Sequence, residues 1–269
     1  MPKTILITGS TDGIGLATAK VLVAQGHTVL LHGRNPAKLA EAEKALSALP
    51  GAGRIESHVA DLSRLAAVES LATAVAERHT TLDVLINNAG IFHTPDTRTP
   101  DGLDVRFAVN TLAPYRLTQR LLPLLGTAGR VVNLSSAAQA PVDVNALAGR
   151  GQLADMAAYA QSKLALTMWS RQMALALKAD GPIIVAVNPG SLLASKMVKE
   201  GFGVDGADLG IGADILVRAA LSDEFATATG LYFDNDSHQF ASPHPDALDP
   251  RKSQDVMRAI EATLAAMAQ

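Results

Sequence analysis

Short β-branched runs alternate with Ala- and Leu-rich stretches of helical length along almost the whole chain, and this alternation narrows the possible folds more than any other feature. Such a pattern marks βαβ units wound around a parallel sheet. The runs predict strands over residues 4–8, 28–32, 55–59, 84–87, 130–134, 183–188 and 230–233. Helices are predicted over 16–25, 36–48, 62–78, 102–125, 156–179 and 211–221, with Gly26 as a C-terminal stop for the first. Hydrophobic residues make up 48% of the 269 residues and charged ones 18%, enough apolar surface for a core that needs no disulfide or structural metal. Segments 137–153, 195–209 and 234–252 are rich in Gly, Pro, Asp or Asn and read as irregular. In an open parallel sheet ligands bind beyond the carboxyl ends of the strands, where such segments gather.

Composition removes several classes of function. The chain has no cysteine, which excludes a disulfide framework, a thiolate nucleophile and a Cys-based zinc or iron–sulfur site. A formal charge of −3 without a long basic run argues against nucleic acid as a partner. Met1-Pro2-Lys3 leads straight into a strand-like run, so no signal peptide is expected. Apolar runs are too short to span a bilayer, so no membrane anchor is expected and the cytoplasm is the expected location. His238 and His244 lack ligand spacing, and no metal site is expected.

Two patterns carry chemistry. Thr8-Gly9-Ser10-Thr11-Asp12-Gly13-Ile14-Gly15 follows the first strand and opens a helix. There a glycine-rich turn lets backbone N–H groups and a helix N-terminus approach a pyrophosphate; the plain alternative is a tight strand-to-helix turn. Tyr159 and Lys163 stand four residues apart and so share a helix face. The ammonium is expected to lower the phenol's pKa from its usual ~10 toward the range of useful proton transfer. Taken alone, such a pair is commonly just solvated. The pair Ser135-Ser136 ends the apolar run upstream of it.

The spacing of Gly9, Gly13 and Gly15 resembles the loop of the short-chain dehydrogenase/reductase family, and the resemblance extends over nearly the whole chain. Asn87-Asn88-Ala89-Gly90 closes the fourth strand, Asp61-Leu62 follows the third and Pro189-Gly190 the sixth, with Asn110, Ser136, Tyr159 and Lys163 in family order. The resemblance implies an α/β fold: a Rossmann-type three-layer sandwich with a mostly parallel seven-stranded sheet and helices on both faces. Residues 1–269 would form one NAD(P)-binding catalytic domain, with substrate loops near 137–153 and 195–209 and a C-terminal extension near 234–269.

The resemblance also implies a hydride-transferring enzyme acting on a small carbonyl or alcohol substrate. Tyr159 would be its acid and base, Lys163 would tune the phenol and bind the nicotinamide ribose, and Ser136 would donate to the substrate oxygen, although Ser135 and Ser136 could exchange roles. Asn110 resembles the family asparagine on a water-linked proton path; its alternative is an amide bonded to helix backbone. Cofactor contacts are implied for Gly9, Ser10, Thr11, Asp12, Gly13, Ile14 and Gly15 in the loop, and for Arg34 and Asn35 after the second strand. They are likewise implied for Asp61 and Leu62 at the adenine, for Asn88, Ala89 and Gly90, and for Pro189, Gly190, Ser191 and Leu192 at the nicotinamide. The second strand ends in His32-Gly33-Arg34-Asn35 with no acidic residue, and Arg34 can offer a charged fork to a 2′-phosphate. NADP(H) is therefore expected over NAD(H), with Asp12 as a feature that fits NADP(H) less well and a solvated Arg34 as the alternative.

The chain between Ser136 and Tyr159 is longer than the common family pattern. This resembles the retinol-dehydrogenase and protochlorophyllide-reductase branch, as does the tail around Tyr232-Phe233 and Pro243-His244-Pro245. Helical stretches 112–125 and 156–177 are apolar over more than one face, which in this family implies dimer packing, so a homodimer or homotetramer is expected. Trp169, Met168 and Met173 read as core or interface residues. Two other readings remain: a dinucleotide-binding regulatory or scaffold protein, and a reductase of C=C bonds.

Overall fold

The computed structural model describes residues 1–194 and 205–267. Most of the segment expected near 195–209 as a substrate loop therefore lies outside the described residues. Eight strands form one sheet: β1 Thr4–Ile7, β2 Thr28–Gly33, β3 Ile55–Val59, β4 Val84–Asn87, β5 Arg130–Leu134, β6 Ile183–Asn188, β7 Tyr232–Asp234 and β8 Gln239–Ala241. Their order is β3-β2-β1-β4-β5-β6-β7-β8. Every pairing is parallel except that of β7 with β8. The order reverses between β1 and β4, the place where such a sheet opens a crevice at its carboxyl edge.

The sheet was expected to have seven strands. The eighth, β8, falls in a stretch read as irregular, because three residues are too few to show alternation. What holds it is a cluster of three rings, Phe225, Phe233 and Phe240, with centroids 5.1 Å apart pairwise.

Helices cover both faces. Side chains alternate along each strand, so Leu6, Leu30, Leu85, Val131 and Ile184 enter one core while Ile5, Val29, Val84, Val132 and Val185 enter the other. The first core is closed by α3 Leu65–Arg78, α5 Ala113–Leu125 and α7 Asp155–Leu177. Closing the second are α1 Gly13–Ala24, α2 Pro36–Ser47 and α8 Leu209–Leu221. Helix α3 starts three residues later than predicted. The Asp61 carboxylate accepts from both the N–H and the hydroxyl of Ser63, at 3.0 and 2.8 Å, and so forms a turn first. The predicted helix over 102–125 is three pieces: a single turn, α4 Val105–Phe107, a π-helical turn Ala108–Leu112, and α5. A π turn admits one extra residue per turn and often marks a functional position; this one carries Asn110.

Segment 137–153 holds a capped turn, α6 Val144–Leu147. The C-terminal extension supplies α9 Pro245–Leu248 and α10 Pro250–Met267. Val256, Ile260 and Leu264 of α10 enter the same core as Trp169 and Met168, and Tyr115 Oη donates to Glu261 at 3.1 Å. Helix α10 thus covers part of the apolar surface of α7. No described helix is long and apolar enough to cross a membrane.

Phe233 is 1% exposed at the centre of the ring cluster. Phe233→Ala is expected to cost about 3–5 kcal/mol and to release β8; urea denaturation, with hydrogen exchange at residues 239–241, checks both.

Candidate active site

The crevice is built where β1, β4, β5 and β6 run out. After β1 the chain turns at Gly9, whose φ of +66° places it where glycine is favoured, and an added Cβ would lie 2.9 Å from Ala89 Cα. At Gly15 a Cβ would strike the Gly9 carbonyl and the Asn88 amide. Asn88 Nδ2 donates to the carbonyls of Thr8 and Gly9, both at 2.9 Å, and Ala89 N–H donates to Thr8 Oγ1 at 3.1 Å. The motifs after β1 and β4 are therefore one unit.

His32, at the end of β2, holds the same loop from the other side. Gly9 N–H reaches its Nδ1 at 3.1 Å, and a backbone N–H can only donate, so Nδ1 is the bare acceptor. The ring proton then sits on Nε2 and goes to Ala60 O, 3.1 Å away, at the end of β3. Ser10 N–H donates to His32 O at 2.9 Å, and Ser10 Oγ accepts from His32 N–H at 2.9 Å. Burial pulls the imidazole down to about 4, with neighbouring His58 lowering it further and the Ala60 bond and Asp61 opposing.

Helix α1 starts with Asp12 as N-cap, its carboxylate accepting from Gly13 N–H at 2.7 Å. The N–H groups of Ile14 and Gly15 have no acceptor among the described residues. A loop that only glycine fits, with free donors at a helix N-terminus, suits a pyrophosphate. Arg34 is exposed and forms no ion pair with a described residue. Asn35, expected at the cofactor, is engaged in capping α2: its Oδ1 accepts from Ala37 and Lys38 N–H at 3.0 and 3.1 Å.

The predicted catalytic residues meet at the ends of β5 and on α7. The Ser136 hydroxyl stands beside the Tyr159 phenol and pulls its pKa down. Ser135 faces away: its Oγ lies 2.7 Å from Thr167 Oγ1 inside the core. The fold thus separates two adjacent serines by the alternation of an extended chain, and Ser136 is the one in the cleft. Lys163 Nζ lies 5.8 Å from the Tyr159 ring centroid and donates to Leu134 O at 2.7 Å. Phe92 packs edge-on against Tyr159, centroids 5.3 Å apart. Lys163 was expected to lower the phenol's pKa. Instead burial pushes Tyr159 above its usual value, with Ser136 pulling the other way, and burial brings Lys163 down to about 8. Both groups lose water together, and the ammonium faces a carbonyl rather than the phenol oxygen.

Asn110 makes no hydrogen bond to the phenol. From the π turn its amide accepts from Ile91 N–H at 2.8 Å and donates to Ile91 O and Ser162 Oγ, each at 2.9 Å, joining the loop after β4 to α7. The loop after β6 is held by the β7–β8 turn. Ser191 N–H and Oγ donate to Asp236 at 2.7 and 2.6 Å, Asn188 donates to Asp234 and Asp236, and Asn235 donates to Pro189 O at 3.0 Å. Leu192 follows with φ +51° and an exposed side chain.

Several of these braces have no motif signature. Tyr232 Oη and Gln139 Nε2 both donate to the Ser136 carbonyl, at 3.2 and 2.8 Å. Arg98 pins segment 137–153 through the carbonyls of Gly102, Gly149 and Gly151. A buried Arg106 binds Asp104 through two bonds and Asp155 at 2.6 Å, and Asp155 in turn takes His93 Nδ1 at 2.7 Å, one helical turn before Tyr159. Only the position of Tyr232 in the family-like tail hinted at any of them.

A family model described as short chain dehydrogenase matches residues 3–202. The chain belongs to that family. It is accordingly an NAD(P)-dependent oxidoreductase whose Rossmann-type fold takes a nicotinamide cofactor. Retinol dehydrogenase 13 of Homo sapiens is 30% identical over 268 aligned positions, covering 92% of this chain and 80% of that protein. Polyprenol dehydrogenase of Homo sapiens is 33% identical over 198, covering 70% and 60%. Among solved structures, an uncharacterised protein from Mycobacterium Paratuberculosis superposes with a TM-score of 0.81 at 27% identity, covering 98% of this chain and 93% of that one. A short chain dehydrogenase from Burkholderia cenocepacia J2315 in complex with NADP gives 0.67 at 29% identity, covering 86% and 95%. This short chain dehydrogenase thus falls in the retinol-dehydrogenase-like branch that its long Ser136–Tyr159 connection resembles.

His32 makes the dehydrogenase acid-sensitive. Its pKa of about 4 in the folded state lies below the ordinary imidazole value of 6.5, so the unfolded chain binds the extra proton and stability falls as pH drops from 6.5 to 4. The full loss is roughly 3 kcal/mol. Urea midpoints across that window should fall less steeply for His32→Asn than for the wild type; equal slopes would remove His32 from the acid transition.

Proposed function

We propose that this enzyme is an NADP(H)-dependent oxidoreductase interconverting a carbonyl and an alcohol, with Tyr159 as acid and base. The observation that carries the reading is the placing of Ser136 beside the Tyr159 phenol at the end of β5, with Lys163 buried one turn further along α7. When bound, the nicotinamide supplies or accepts the hydride. Ser136 Oγ accepts from Ala138 N–H at 3.1 Å, which holds the hydroxyl in the cleft, where its O–H is the donor offered to a substrate oxygen. Burial keeps the Tyr159 phenol protonated, the form that hands a proton to an alkoxide as it develops. Lys163 places a positive charge behind the ring, and Asn110 positions α7 by tying Ser162 to Ile91.

The pyrophosphate is assigned to the 9–15 loop, the adenine to Asp61 and Leu62 and the nicotinamide to residues 189–192, with residues 88–90 as further cofactor contacts. Arg34 takes the 2′-phosphate: it is exposed at the end of β2, lacks an ion-pair partner among the described residues and has no acidic neighbour in His32-Gly33-Arg34-Asn35. The NADP carried by the Burkholderia relative supports this choice. The names of the human relatives, which specify retinol and polyprenol, favour a bulky apolar alcohol or the matching carbonyl as substrate.

Following NADPH absorbance with a panel of aldehydes and ketones tests the reading. Tyr159→Phe is expected to keep dinucleotide affinity and to lose about 10²–10⁴ in kcat; undiminished turnover would sink the proton assignment. Arg34→Ala should weaken NADPH about 10- to 100-fold, the worth of charge-assisted hydrogen bonds of about 1.5–3 kcal/mol. NADH should be affected little, and a matching loss with NADH would take Arg34 out of the phosphate site.

A further inference from the structure

His32 is 3% exposed, and its ring sits where three segments assigned to the cofactor converge. It accepts from Gly9 in the loop after β1 and donates to Ala60 just before Asp61 on the way out of β3, while its own backbone is followed by Gly33 and Arg34. Asn88 grips the carbonyl of Gly9 from the opposite side, so both ends of that residue are fixed by side chains rather than by sheet pairing. The bonds that Ser10 makes to the His32 backbone persist whatever the ring is, which leaves the ring itself responsible for Gly9 N–H and Ala60 O.

Resting on the dinucleotide reading above, we infer that His32 is a positioning residue for the cofactor's pyrophosphate: its bare Nδ1 sets the Gly9 peptide and hence the donors that follow it. The groups facing the ring are His58, its register partner on β3, and Asp61 beyond that strand. They act in opposite directions, and burial keeps the ring neutral and Nδ1 an acceptor.

Two near-isosteres divide the ring's two bonds. In His32→Asn the Oδ1 atom can stand in for Nδ1 and the bond to Ala60 is lost; in His32→Gln the Nε2 atom can reach Ala60 and the acceptor for Gly9 is lost. Calorimetry on the whole protein would use NADP⁺ and, as a probe without pyrophosphate, adenosine 2′-phosphate. The expected result is NADP⁺ affinity within about threefold of wild type for His32→Asn and about tenfold weaker for His32→Gln, the cost of orphaning a buried N–H. Adenosine 2′-phosphate should change by less than about twofold in either variant. Equal effects of the two variants on NADP⁺, or a loss shared by the short probe, would show a brace with no bearing on pyrophosphate. A measurement on the wild type does not depend on variants folding: the ¹⁵N resonance of His32 Nδ1 should shift on adding NADP⁺ and hold still with adenosine 2′-phosphate, and no shift with either overturns the inference. Wild-type protein that binds no dinucleotide would instead defeat the cofactor reading itself.

Discussion

Parallel strands that end side by side leave a row of backbone groups with no further ladder partner, and these must be satisfied without filling the crevice they surround. That requirement organises this protein. Asn88 takes the carbonyls of Thr8 and Gly9, Lys163 takes that of Leu134, Tyr232 and Gln139 take that of Ser136, and Asn235 takes that of Pro189. Apart from the local bond of Gln139, each of these side chains reaches across from another segment, so satisfying the edge also locks the segments together. The site is rigid because the same bonds that remove orphaned polar groups set its geometry.

A second layer of polar contacts runs beneath it. Asn87 bonds Thr118 and Asn133, and Asn133 bonds Ser170 on α7, linking β4, β5 and two helices through groups that are wholly or almost wholly buried. Such networks hold a unique arrangement only when fully paired. Their cost is offset here by closing every bond. The same low-polarity setting acts on the titrating groups in opposite senses, keeping the Tyr159 phenol protonated and loosening the proton on Lys163. The acid in the cleft is thus set by desolvation, with the Ser136 hydroxyl as counterweight.

Much of this was legible in residue order. Regular elements of the core appeared because their apolar periods are long enough to read, and the helix start at Pro36 was among them. The first helix, by contrast, begins at Gly13, three residues before the predicted start, and the caps Asp12 and Asn35 were expected only as cofactor contacts. The strand β8, the capped turn at Val144–Leu147 and the extent of α10 were missed, since the first two are too short for a period and the last follows a Pro- and Asp-rich stretch that reads as loop. Chemistry-bearing motifs could be found because spacing along a helix or beside a turn is local. Bonds spanning 59 residues of chain, like Arg171 to Gly230, or 96, like Tyr232 to Ser136, leave no such local mark.

Order and spacing alone determined the α/β layering, the glycine turn that leads into a helix, and a tyrosine and lysine on one helical face. Only the tertiary structure decided which of Ser135 and Ser136 faces Tyr159, which tautomer His32 holds, where Asn110 spends its amide and which way burial moves the phenol. The reason is physical: a helix face or a turn is set by neighbours in sequence, whereas hydrogen-bond partnership and desolvation are set by whatever distant segments the fold brings to the same few ångströms.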